Sequence, residues 1–184
     1  NGGQYTHGVL WTLLALALER DGDGAGDLLA LLNPVHHADS RQATERYRVE
    51  PYVVAADVYS HPEHMGRGGW TWYTGAAGWL YRIVLENIIG LRRRGNTLTL
   101  VPCIPSTWPG FQVRYRHGAA VYQIEVDNPL GVARGVVRLE VDGKPMSDGY
   151  IRLVDDGATH RVKVTLGQAE VDAPLSERAR FGSV

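Results

Sequence analysis

Two spacings of apolar residues divide the chain. Up to about Gly90 they recur at helical intervals; beyond it they alternate. Residues 9–19 are apolar nearly all round, from Val9, Leu10 and Trp11 to Leu18, the pattern of a helix buried on most sides in a larger helical assembly. Thr6 is placed to cap it. Residues 20–24 read as a turn and 25–32 as a second helix, closed by Asn33-Pro34 because proline disfavours helix in the residue before it. A short helix is expected over 41–47. Residues 50–59 fit either a buried strand or a buried helix, since a short apolar run carries no period of its own. Pro51 suits a first helical turn, and the helical company favours helix. Residues 74–89 carry Ala76, Trp79, Leu80, Ile83, Val84 and Ile88 at helical spacing and end at Gly90.

After Gly90 the spacing drops to two. Arg94-Gly95-Asn96 is a hairpin signal between Leu91 and residues 97–101. Residues 111–116 alternate, turn at His117-Gly118 and pair with 121–126. Further strands are expected at 136–141, 150–153 and 160–166, with turns at Asp142-Gly143 and Asp155-Asp156-Gly157. Short strands at this interval imply a small antiparallel sandwich. The class is therefore α+β by segment: helices over 1–90, a β-domain over 91–172 and a fraying tail over 173–184.

Composition narrows the picture. The chain has 184 residues and a formal net charge of −1, so no long-range field directs it to nucleic acid or to an anionic membrane. One cysteine, Cys103, excludes an intramolecular disulfide framework and fits a reducing, cytoplasmic compartment. No run reaches the roughly 18 apolar residues of a spanning helix, and no secretory signal is present. The helices are too apolar to face water, so partner helices are expected from a longer polypeptide. The uncovered faces should drive self-association or contact with the missing part.

Candidate chemistry gathers in residues 69–79, which hold three tryptophans, a tyrosine and three glycines. Aromatics supply flat apolar faces, and Thr74-Gly75 opening a helix offers free N–H groups to an anion. His7, in a glycine-rich loop beside Gln4 and Tyr5, is a hydrogen-bond donor from either ring nitrogen; the plain alternative is a capping histidine. Glu50 and Asp57 sit in an apolar run, where a carboxylate needs a partner; the simplest are Arg46, Arg48 and Arg67. No carboxylate pair matches the two-carboxylate arrangement of glycoside hydrolysis. His36-His37 point different ways and lack a third ligand at metal spacing.

Several segments together are more specific. They are Asn1-Gly2-Gly3-Gln4-Tyr5-Thr6-His7-Gly8, Asn33-Pro34-Val35-His36-His37, residues 47–59, Gly66-Arg67-Gly68-Gly69-Trp70-Thr71-Trp72-Tyr73-Thr74-Gly75, and Pro102-Cys103-Ile104-Pro105 with Trp108-Pro109-Gly110-Phe111. Collinear over roughly residues 1–170, they make the chain resemble glycoside hydrolase family 94, the cellobiose-phosphorylase-like enzymes. The strongest likeness is to the phosphorylase-like C-terminal region of cyclic β-1,2-glucan synthases.

The resemblance implies the last helices of an (α/α)6 barrel followed by a jelly-roll-like β-sandwich. It also implies cleavage or formation of a β-glucosidic bond by phosphate, with inversion. Phosphate would be held by His7, Thr74 and Gly75. Gln4, Tyr5, Glu50, Trp72 and Tyr73 are the candidates, read from their side chains, for contact with the sugar. The partners implied are a β-glucan oligosaccharide or glucose 1-phosphate, with inorganic phosphate as co-substrate and no further cofactor or metal. The family's general acid, and an arginine that also contacts phosphate, lie upstream of the histidine motif. The chain alone is therefore expected to be inactive, and any attachment of the parent protein to the inner membrane to be made through other segments. A carbohydrate-binding module and an inverting hydrolase on the same barrel are the alternatives.

Overall fold

The computed structural model describes residues 3–72 and 74–168. Four α-helices come first: α1 (Thr6–Leu18), α2 (Gly22–Leu32), α3 (Arg41–Tyr47) and α4 (Thr74–Ile83). Two short strands lie among them, β1 (Gln4–Tyr5) and β2 (Asp57–Val58). The remaining strands are β3 (Leu91–Arg94), β4 (Thr97–Leu100), β5 (Gly110–His117), β6 (Ala120–Asp127), β7 (Val136–Val141), β8 (Lys144–Pro145), β9 (Ile151–Arg152) and β10 (Thr159–Leu166).

Helix α1 begins earlier than the apolar pattern alone implies. Thr6 is its first residue and is buried, while Tyr5 holds the cap position without a side-chain hydrogen bond. The start is set by strand pairing instead. Gln4 and Tyr5 pair antiparallel with Val58 and Asp57, and the Thr6 N–H donates to the Ala56 carbonyl at 2.8 Å. Helix α2 also starts earlier, within the expected turn. Asp21 caps it, its carboxylate accepting the Gly24 N–H at 2.9 Å.

The helix expected over 50–59 does not form. The segment runs through turns into β2, because its backbone groups are claimed by distant segments. The Ala56 N–H donates to Trp70 O, the Tyr59 N–H to Arg67 O, and Asp57 O accepts the Gly69 N–H. Val53, Ala55 and Ala56 are buried there all the same. Burial was encoded by the apolar run; helical spacing was not.

Helix α4 follows the expected register and passes into a π-helical turn at Val84–Ile88, where the Ile89 N–H reaches back to Val84 O. Gly90 then takes φ +77°, a left-handed conformation that ends the helix and starts β3.

The strands form a five-stranded sheet in the order β5-β6-β10-β7-β8 and a three-stranded sheet in the order β3-β4-β9. Pairing is antiparallel except between β6 and β10, which run parallel with Val162 beside Ile124 and Val164 beside Val126. The expectation of a purely antiparallel arrangement is therefore corrected. Alternation tells which face of a strand is buried, and it carries no information on strand direction. Along β6, Ala120, Tyr122, Ile124 and Val126 are buried, and along β10 Val162, Val164 and Leu166.

One hydrophobic cluster includes Leu10, Leu13, Ala25, Ala76, Ile83 and Ile88 from the helices and Leu98, Ile104, Ile124 and Val164 from the β segment. The contact is close. A Cβ at Gly22 would lie 2.2 Å from the Ile104 carbonyl oxygen, so only glycine lets α2 approach this strand-side chain. Asp23 seals the joint, accepting the Ser106 N–H at 2.7 Å and its hydroxyl at 2.9 Å. The other side of α1 is less covered. Trp11 is 59% and Leu18 47% exposed, while Leu10, Leu13 and Ala17 are buried. The tail assigned to 173–184 lies outside the described residues.

Candidate functional site

The aromatic stretch runs beside β2. The Trp70 N–H donates to Asp57 Oδ1 at 3.2 Å, and the Trp70 carbonyl accepts from Ala56 at 2.7 Å. The Trp72 indole N–H donates to Glu50 Oε1 at 3.1 Å. Among the described residues, the partners of these two carboxylates are thus Trp70 and Trp72, not the arginines at 46, 48 and 67. Trp70 and Trp72 are 77% and 67% exposed. Trp72 also has φ +60°, an unfavourable backbone region for a bulky side chain, which costs on the order of 1–3 kcal/mol and persists only where surrounding contacts enforce it.

His7 lies in the first turn of α1, not in the loop that the glycines around it imply. Its Nε2 is buried and has no hydrogen-bond partner among the described residues. Three aromatic rings surround it: Trp11 edge-on at 5.3 Å, Trp79 at 6.2 Å and Tyr5 stacked at 6.2 Å. Trp11 sits one helical turn on from His7, a spacing that could have been used to find this contact. Trp79 is half-buried against the core, so it belongs to the packed part of the aromatic stretch. His7 therefore faces α4, the helix whose first residues are Thr74 and Gly75. Both are exposed, and a Cβ at Gly75 would meet nothing within 4 Å. Gln4 Nε2 donates to the Thr6 hydroxyl at 3.2 Å, beside His7. Tyr73 lies outside the described residues. A buried imidazole nitrogen, a helix start and exposed aromatic faces are the kinds of donor and surface an anion and a sugar require.

His36, His37 and His160 serve the fold. His36 Nδ1 and His37 Nε2 donate to the Ala30 and Leu31 carbonyls at 3.2 and 2.7 Å, closing the end of α2. This explains the adjacent pair without a metal, since a helix end leaves carbonyls that need donors. His160 on β10, which pattern reading passed over, stacks on Tyr122 at 4.7 Å and bonds Asp142 at 2.7 Å and Asp156 at 3.2 Å. The Asp142 hydrogen bond raises the His160 pKa above its ordinary value. The same bond lowers that of Asp142, and the Ala158 N–H chiefly lowers that of Asp156. Burial pushes the Cys103 thiol up, which makes it a poor thiolate. No helix among the described residues is long and apolar enough to cross a membrane.

Known proteins match this chain. The family described as "Glycosyl hydrolase 94 superfamily, catalytic domain" matches residues 1–90. The cyclic beta-(1,2)-glucan synthase NdvB of Rhizobium meliloti (strain 1021) is 51% identical over 126 residues, 68% of this chain and 4% of that protein. The N,N'-diacetylchitobiose phosphorylase of Vibrio furnissii is 34% identical over 91% of this chain and 20% of its own length. The solabiose phosphorylase of Paenibacillus borealis is 27% identical over 90% of this chain and 21% of its own. The chain thus spans about a fifth or less of these relatives. With the family model over residues 1–90 and a relative 34% identical over 91% of its length, the chain belongs to the glycosyl hydrolase 94 superfamily.

Proposed function

We propose that this chain is the C-terminal part of a carbohydrate-active enzyme that cleaves or forms β-glucosidic bonds by inverting phosphorolysis, within a protein of the cyclic β-1,2-glucan synthase type. In that reading its helices complete an (α/α)6 barrel and its strands a jelly-roll-like sandwich. The half-covered apolar face of α1 supports the barrel, because Trp11 and Leu18 would be covered by the other helices.

The single observation that carries the reading is the Nε2 of His7, buried without a partner among the described residues in an imidazole 6.2 Å from the Trp79 ring of α4. A buried polar atom without a partner needs an explanation. A phosphate oxygen held between His7 and the Thr74-Gly75 helix start provides one. A phosphate oxygen would then form a bond to the anomeric carbon on the face opposite the leaving group. The glycosidic C–O bond breaks, and the leaving oxygen takes a proton from a carboxylic acid outside residues 1–184. Phosphate stands in for the second carboxylate that hydrolysis requires. In this reading Gln4, Tyr5 and Trp72 contact the sugar, and Glu50 is hydrogen-bonded to the Trp72 indole. The substrates are a β-glucan oligosaccharide and phosphate, or glucose 1-phosphate in reverse.

Product analysis of the full-length protein on β-1,2- and β-1,4-linked gluco-oligosaccharides, with and without phosphate, tests this. Phosphate-dependent release of α-glucose 1-phosphate supports phosphorolysis. Release of free sugar at the same rate without phosphate identifies a hydrolase. Saturable oligosaccharide binding with no turnover in either condition identifies a binding module.

A further inference from the structure

We infer that Trp72 is a sugar-stacking platform and that Glu50 acts through it, as the positioning residue that fixes its indole, rather than on the sugar itself. This rests on the phosphorylase reading for its substrate class only.

Three observations converge. First, the backbone at Trp72 is strained, with φ +60°, and strained residues persist where their placement is enforced and used. The enforcement is visible two residues earlier, where Trp70 is tied to β2 by the Asp57 carboxylate on one side and the Ala56 N–H on the other. Second, the strain is not offset by burial, since Trp72 is 67% exposed. An exposed, strained tryptophan gains little from this chain's own packing, so its conformation serves something that lies against it. Third, the indole N–H is taken up by Glu50 Oε1 at 3.1 Å. A hydrogen bond to a carboxylate is a strong one. It holds the ring by its N–H edge. A pyranose presents C–H groups to the face of such a ring and hydroxyls to its rim, the match of apolar body and polar edge that suits an indole. The platform lies two residues before Thr74, so a sugar stacked on it adjoins the helix start assigned to phosphate.

The experiment uses the full-length protein with a linear β-1,2-linked and a β-1,4-linked gluco-oligosaccharide as probes. It reads tryptophan fluorescence, and KM and kcat with phosphate, for wild type, Trp72→Phe, Glu50→Ala, Glu50→Gln and the double variant. Trp72→Phe keeps a ring and loses the N–H. Glu50→Ala should raise the oligosaccharide KM about three- to tenfold with kcat within about twofold, the signature of lost uniform binding. Glu50→Gln, which retains an acceptor oxygen, should restore it. In the Trp72→Phe background Glu50→Ala should add nothing further. Additive effects in the double variant, or failure of Glu50→Gln to rescue, overturn the positioning role in favour of direct sugar contact. Equal quenching by oligosaccharide in wild type and Trp72→Phe overturns the platform, whatever the reaction. Quenching that depends on Trp72 without phosphate-dependent turnover supports the platform and overturns the phosphorylase reading alone.

Discussion

The imidazole of His7, in the first turn of α1, lies 6.2 Å from the indole of Trp79 in the body of α4. Residues far apart in sequence thereby pack together, and the Nε2 of that imidazole is buried without a hydrogen-bond partner among the described residues. If that nitrogen donates to phosphate, His7→Ala in the full-length protein should raise the KM for phosphate roughly 10- to 100-fold, the range of a hydrogen bond to a charged group. The oligosaccharide KM should move much less. Initial-rate kinetics with each substrate varied separately make the comparison, and a larger rise for the sugar than for phosphate would remove His7 from the anion site.

Two helical glycines should respond to alanine in opposite directions. At Gly22 the new Cβ meets the Ile104 carbonyl at 2.2 Å, and the forced shift should cost about 1–3 kcal/mol. At Gly78 nothing lies within 4 Å, so alanine should stabilise this chain by about 0.5–1 kcal/mol through helix propensity. Denaturant unfolding of the two variants measures both. A stable Gly22→Ala protein would contradict the close contact of α2 with the β segment.

Tyr122 should be a hinge point of stability in the β segment. Its buried hydroxyl accepts the Val154 N–H at 2.7 Å and donates to the Arg152 carbonyl at 3.2 Å, tying β6 to the chain after β9. Tyr122→Phe leaves those backbone groups unmatched and should cost about 1–3 kcal/mol, seen as a lower unfolding midpoint with an unchanged denaturant slope.

The Asp142–His160–Asp156 cluster should impose a pH dependence. The His160 pKa is raised above 6.5, so its contribution is complete below that pH and lost as pH rises through the higher folded value. The Asp142 and Asp156 pKa values are lowered below 3.8, so theirs is present above that pH and lost as pH falls through the folded values. Stability from the cluster should therefore be greatest between about pH 4 and 6.5. His160→Gln should flatten the alkaline limb. The Asp142 partner is exposed although His160 is largely covered, so the effect should be no more than about 1 kcal/mol and smaller at high salt.

Much of this was legible before any coordinates. The spacing of Ala76, Trp79, Leu80, Ile83 and Ile88 specifies α4, because a helical stripe repeats within one short segment. The alternation of 111–116 and 121–126 specifies the β5–β6 hairpin for the same reason, and Gly90 marks the change of period. The collinear motifs specify the family. Three things were not legible. The run at 50–59 is apolar enough to be buried, yet only its hydrogen bonds to residues 6, 67, 69 and 70 decide that it is not helical. Alternation buries one face of β10, but its parallel seat beside β6 depends on how the chain returns across the sheet. The joining of His7 with Trp79, and of Glu50 with Trp72, brings together side chains distant along the chain. Local patterns act over a few residues and determine elements; contacts between distant segments exist only once those elements pack, and they decide the site.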